Sequence, residues 1–492
     1  MKKIVLVLGF FLFVSFSAKA NFDFNSNCIE AYKAILALKL DLGKSLIEKE
    51  KRTHPDNAIV VLLENYHDFY TIFTSESQAD FNRLKGNKSA RLRRLEKESE
   101  NSPYYLFCQA EVNMQWAITR ARFGEYYTAA LEINRAFSYL KENKNNFAQF
   151  WPNYKDLGIL NIVLGNVPAS LKTILNTFGV NADIKIGVSL MEQALVQLPK
   201  SEYSFFYDET AMCLSYVLHD VVGDENAYVK ATRYLKPVSD SSLLKSFVQG
   251  YVSMKTAHNS EAIAVFNNRP VGSTYSSFKH IDYLLAVAKL NRLDDDAATF
   301  FFKYLGNYKG VFNIKDSYLR IAWSFLLKGD LKRYNEYVAL VKAKGYELNE
   351  KDKHALKEVE AGTPDLYLLG ARLLYDGGYY EKALSVLKSK KITEGTPEYE
   401  KLECNYRFGR IYDALDEDEK AIQCYNQTIN AGKGKQWYFA ANSSLSLGKI
   451  YENLKNYGKA RLYYQLCLDM KGHEYKSGID AKAKAGLKRI GR

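Results

Sequence analysis

Residues 42–46 read LGKSL, and Gly43-Lys44-Ser45 is the tail of a phosphate-binding loop. Such a loop needs a second glycine five residues before Gly43, where this chain has Leu38, and Gly43 falls inside an apolar helical pattern. The histidines offer no better chemistry. His54, His67, His219, His258, His280, His354 and His473 are scattered, and none belongs to an H-E-x-x-H pair that would seat zinc. No G-x-S-x-G nucleophile elbow occurs. The six cysteines, Cys28, Cys108, Cys213, Cys404, Cys424 and Cys467, are irregularly spaced with no C-x-x-C, and most read as unpaired packing residues. The chain is therefore expected to be no enzyme, with no catalytic residue, metal ligand set or cofactor.

Charge is the next candidate for recognition. The formal net charge is +12, and loss of Lys2, Lys3 and Lys19 with a leader leaves +9. The basic residues alternate with Asp and Glu, even in the densest cluster, RLRRLEKE at 91–98, as on a solvated helical surface. A nucleic-acid partner is not expected. The leader is MKKIVLVLGFFLFVSFSAKA: two lysines, an apolar run from Ile4 to about Phe16, and the small-x-small triplet Ala18-Lys19-Ala20. It reads as a bacterial-type export signal cut after Ala20, which would leave a periplasmic chain. No later apolar stretch is long enough to span a bilayer, so no membrane span is expected after cleavage.

The elements that would position a binding surface show in two phrases, FGRIYDALDEDEKAIQCYNQT (408–428) and LGKIYENLKNYGKARLYYQLCL (447–468). Gly409 matches Gly448, Tyr412 matches Tyr451, Ala421 matches Ala460, and Tyr425 matches Tyr464, with intervals of 3, 9 and 4 in both. Three and four are helical spacings, so each phrase predicts two helices joined by a turn, small residues letting them approach and tyrosines filling the space beside them. Phe408, Gly409, Tyr412, Ala421 and Tyr425, then Leu447, Gly448, Tyr451, Ala460 and Tyr464, resemble the small/large signature of the tetratricopeptide repeat. Asn405 or Ser444 replaces its usual Trp, Lys433 or Gly472 its closing Pro, and the two copies stand 39 residues apart.

Looser copies lie upstream. Residues 365–387 place Leu369-Gly370 thirteen residues before Ala383, the spare residue being assigned to Gly377 or Gly378 in the turn. Residues 318–338 put Ala322, Phe325 and Gly329 in register, with Tyr334 where Ala is expected; residues 249–266 keep Gly250, Ala262 and Phe266. Thr363, Thr396 and Ser102, each before a proline, read as N-caps. Ile479, Ala483, Leu487 and Ile490 form one stripe of a terminal helix that would close an open array. The expected fold is all-α, a tetratricopeptide-like solenoid of helical hairpins in a right-handed superhelix, with an atypical apolar helical segment near 157–182. The expected divisions are a signal at 1–20, divergent helical repeats at 21–240, the repeat array at 241–475 and the capping helix at 476–492.

Two surfaces are candidates for binding. Residues 157–182 carry a single charge, Lys172, and a break at Pro168; they read either as a buried helix pair or as an apolar pocket lined by Val167, Leu171, Ile174, Leu175 and Phe178. This stretch, with 205–235 and the C-terminal repeats, is similar to the tetratricopeptide-repeat protein 39 and inclusion-body-clearance family. That resemblance implies an all-helical repeat protein without catalytic residues. The tetratricopeptide resemblance implies that the first helix of each hairpin lines a concave groove. It places Glu403, Tyr406, Arg410 and Asp413, then Asn442, Leu445, Lys449 and Glu452, along it. Arg410 and Lys449 are equivalent and could grip an acidic segment or terminal carboxylate together. The expected function is an exported scaffold for a protein or peptide partner; the alternative is a glycan- or small-molecule-binding repeat protein, with Trp437 and Tyr438 as its aromatic candidates.

Overall fold

The structure is a computed structural model that describes residues 22–167 and 181–491. The leader at 1–20 and the pocket candidates Leu171, Ile174, Leu175 and Phe178 lie outside the described residues. Helices succeed one another in adjacent pairs, with no strand among the described residues. Two compact units divide the chain, Met1–Thr71 with Asn82–Phe205 and Ile72–Phe81 with Phe206–Arg492.

In the second unit the hairpins share one turn. Ala257, Leu293, Gly329, Gly378, Asp416 and Lys455 each adopt positive φ, in steps of 36, 36, 49, 38 and 39 residues. After each, the next amide donates to the carbonyl five residues back: His258 to Ser253, Asp294 to Lys289, Asp330 to Phe325, Tyr379 to Leu374, Glu417 to Tyr412 and Asn456 to Tyr451, at 2.8–3.0 Å. This six-to-one bond closes the carbonyls left open at a helix end. The left-handed residue stands five before Ala262, Ala298, Tyr334, Ala383, Ala421 and Ala460, so the turn sets the register of the second helix on the first.

That register corrects one expectation. Gly378 is the left-handed turn residue, which makes Ala371, fully buried in the core with Ala383, the small residue twelve positions before it. Gly370 is not the match, and no residue is spare. The capping expectations divide as well. Ser102 Oγ accepts from the Tyr104 amide at 3.3 Å as expected. Asp365, whose carboxylate accepts from Tyr367 and Leu368 at 3.0 Å, displaces Thr363 as the cap. Thr396 Oγ1 accepts instead from the Thr393 amide at 2.9 Å, and the helix Glu398–Ala414 begins past it.

Close approach at the small residues fixes the two clear hairpins. A Cβ on Gly409 would stand 2.7 Å from the Tyr425 ring, and one on Gly448 2.5 Å from the Tyr464 ring; Gly250 meets Phe266 in the same way at 2.2 Å. The tyrosine hydroxyls still need partners. Tyr425 Oη donates to Asp413 at 3.1 Å and Tyr464 Oη to Glu452 at 2.5 Å, the same step along the chain. Phe266 has no hydroxyl, and Met254 stands where the carboxylate would be. The last described helix, Lys476–Ile490, buries Ile479, Ala483 and Gly486, with Leu487 and Ile490 against the same core.

The first unit holds the described part of the apolar segment. Helix Pro152–Gly165 is buried on nearly every side against helix Ile184–Gln197. They cross at a glycine pair: a Cβ on Gly158 would meet Gly187 O at 2.9 Å, and one on Gly187 would meet Gly158 O at 2.6 Å. The remainder of that stretch, 168–180, lies outside the described residues. Nearby, Lys155 Nζ bonds Glu111 Oε1 at 2.6 Å, and Tyr66 Oη and Gln115 Nε2 donate to the same carboxylate at 2.6 and 2.9 Å. Burial alone would push the Glu111 carboxyl up; Lys155, Asp156 and the Tyr66 hydroxyl outweigh it and hold it below its ordinary value.

Two stability outcomes follow. Gly448→Val should lose about 1–3 kcal/mol, because the Tyr464 ring leaves no room for a side chain. Gly478→Ala, with open space around its Cβ, should gain up to about 1 kcal/mol from helix propensity; chemical denaturation of both variants measures the contrast. Lys155→Met should cost about 3–5 kcal/mol by stranding the Glu111 charge, read as earlier melting in the same assay.

Candidate functional site

The hairpin register lines up one position on successive first helices. Arg372, Arg410 and Lys449 each follow the small residue, Ala371, Gly409 or Gly448, and Trp323 follows Ala322 at the preceding hairpin. The guanidinium of Arg372 lies over the Trp323 ring at 4.7 Å, and that of Arg410 over the Tyr375 ring at 4.0 Å. Arginine on an aromatic face keeps its charge while resting its planar body on carbon. The result is a row of cations whose two arginines are braced by aromatic rings.

The predicted groove residues take different places. Arg410 is half-buried, and Lys449 is exposed. Neither has a carboxylate within ion-pair distance among the described residues. Lys449 reaches water, yet the groove walls strip part of its hydration, and the charges of Lys482 and Arg489 add to that. Together they hold its ammonium below the ordinary lysine value. Asp413 is half-buried; burial raises its carboxyl, Asp418 adds to the rise, and the Tyr425 hydroxyl opposes it. Glu452 is held low, first by Arg489, which bonds it at 2.7 and 2.8 Å, and also by Tyr464.

Two of the eight are packing residues. Tyr406 and Leu445 are 1% and 3% exposed and belong to the core shared by the last hairpins, because the helices meet over them. Asn442 Nδ2 donates to the Tyr406 hydroxyl and so stays beside it. Glu403 is buried and paired within its own helix to Arg407. Trp437 and Tyr438 are half-buried in an aromatic cluster, Trp437 against Tyr399 at 5.2 Å and Tyr438 against Tyr406 and Tyr475 at 5.6 and 5.4 Å. Of the apolar pocket, Val167 alone is described, half-buried just past helix Pro152–Gly165. Among the described residues no cluster of His, Cys, Asp and Glu is gathered for a metal ion, and no helix is long and apolar enough to cross a membrane. All six cysteines are free thiols.

Arg372 escaped the sequence reading, and so did its partner. Glu358 accepts from its guanidinium at 2.8 and 3.1 Å, from a helix, Glu350–Glu360, that belongs to no hairpin. The signal for Arg372 was present: counting twelve back from Ala383 reaches Ala371 and puts Arg372 in line with Arg410. Nothing in the sequence points to Glu358.

The family model for the tetratricopeptide repeat matches residues 402–431 and 441–473. No curated protein matches the chain. Among solved structures the chain is similar to the crystal structure of the APC/C hetero-tetramer Cut9–Hcn1, at 12% identity over 94% of this chain and 95% of that one. The TM-score there is 0.26, too low for the superposition to carry an argument. The matched model speaks for the repeat and not for the tetratricopeptide-repeat protein 39 and inclusion-body-clearance family. With the shared turn, the small-residue contacts and the serial hairpins behind that match, the chain carries tetratricopeptide repeats at 402–431 and 441–473.

Proposed function

We propose that the chain is a non-enzymatic scaffold that holds a protein or peptide partner along the face of its first helices. The observation that carries this reading is the cation row in which Arg410 and Lys449 are left without a carboxylate. A cation with no carboxylate of its own fold at ion-pair distance, and whose hydration the groove reduces, gains more from an incoming carboxylate than one in open water does. The glycan alternative is weaker, because Trp437 and Tyr438 pack against neighbouring rings and offer no open platform. The leader supports an exported setting, the periplasm, with the mature chain beginning at Asn21.

The double variant Arg410→Ala, Lys449→Ala should lose partner capture from envelope extract at least tenfold, about 1.4 kcal/mol or more, with an unchanged helical circular dichroism spectrum. Capture by the wild type should weaken as salt is raised. Undiminished capture by the double variant would remove these two residues from the site. N-terminal sequencing of the protein recovered from cells tests the leader, with Asn21 expected first.

A further inference from the structure

The step from Gly329 to Gly378 is 49 residues, against 36 to 39 between the other turns. The surplus contains the helix Glu350–Glu360, which is single where every neighbour is paired. The polar contacts of Lys351, Asp352 and Glu358 with other elements go to the first helices of hairpins or their N-caps. Asp352 accepts from the amides of Asn313 and Asp316 at 2.7 and 3.1 Å, capping helix Ile314–Leu327 from outside. Lys351 Nζ donates to Tyr283 Oη at 3.2 Å. Glu358 takes Arg372 of the cation row, and His354 meets Tyr475 Oη at 3.1 Å. By the register, Asp316 is equivalent to Glu403 and Arg372 to Arg410, so this helix rests on the face assigned above to a partner.

Its apolar hold is thin. Only Asp352, Ala355 and Val359 are buried, whereas helix Phe439–Asn453 buries Phe439, Leu445, Leu447, Ile450 and Tyr451. Burial of one valine and one alanine, with Leu356 half-buried, gives a small share of what holds a hairpin helix. The chain on either side, 342–348 and 361–363, is exposed. A helix held by carboxylates, between two exposed linkers, can leave its seat without disturbing the turns that order the array.

We propose that Glu350–Glu360 is a built-in occupant of the binding face, a latch competing with an external helix that presents the same two carboxylates, spaced as Asp352 and Glu358. The proposal rests on the scaffold reading for its meaning. Seated, the latch covers Arg372 and the amides of Asn313 and Asp316 and leaves Arg410 and Lys449 open. Released, it adds Arg372 to them and lengthens the row available to a partner.

The test needs no partner. In hydrogen exchange of the full chain, amides of 350–360 should exchange at least tenfold faster than those of 314–327 and 366–376. Equal protection would make the helix an integral part of the fold and overturn the proposal. The variant Glu358→Lys sets a like charge against Arg372. A fluorescein-labelled peptide of residues 349–361 should then bind that variant at least tenfold more tightly than the wild type, with exchange in 398–414 and 439–453 unchanged. Equal binding to both, or faster exchange throughout the unit, would overturn it. If the variant does not fold, the wild-type exchange decides alone. A failure here leaves the Arg410 and Lys449 test standing, and a failure there leaves this one readable.

Discussion

The array depends on a contact between a residue without bulk and an aromatic ring. With no Cβ at Gly409 and Gly448, the rings of Tyr425 and Tyr464 lie directly on the backbone of the first helix. Burying such a ring is worth several kcal/mol, but a buried hydroxyl without a partner would return much of it. Asp413 and Glu452 resolve that conflict. A hairpin with Phe266 in the ring position has no such conflict and no such carboxylate. One steric choice on the first helix thus decides the ring on the second and the charge one turn further on.

The turn repeats the logic on the backbone. A left-handed residue closes each first helix by the same bond, whether the residue is Gly329 and Gly378 or Ala257, Leu293, Asp416 and Lys455. The non-glycine residues pay a conformational penalty, so the packing that follows must over-determine the turn. Because turn and contact agree at each hairpin, the position after the small residue recurs at a fixed place on the face. Arg372, Arg410 and Lys449 therefore form a row without touching one another in sequence.

The row is not uniform. Arg372 is neutralised by the chain's own Glu358, while Arg410 leans on Tyr375 and Lys449 faces outward near Lys482, Arg489 and Asp413. The difference arises from one inserted helix, and it divides the face into an occupied part and an open part.

The sequence by itself was enough for the fold class and for the hairpins at 402–473, because a three-nine-four spacing of small and large residues has few solutions other than two packed helices. It also led to the capping stripe of 479–490 and the Ser102 cap, which are local chemistry. What it could not settle was which surface position each side chain occupies. Tyr406 and Leu445, counted as groove residues, are sealed by the neighbouring hairpin, since burial between repeats depends on how one pair leans on the next. Arg372 was hidden by a one-residue choice between Gly370 and Ala371 that only the turn at Gly378 resolves. The pairing of Glu358 with Arg372 joins two elements whose meeting is set by the path of the linkers between them. Local periodicity decides what a segment becomes; contacts across the array decide which of its charges are left for a partner.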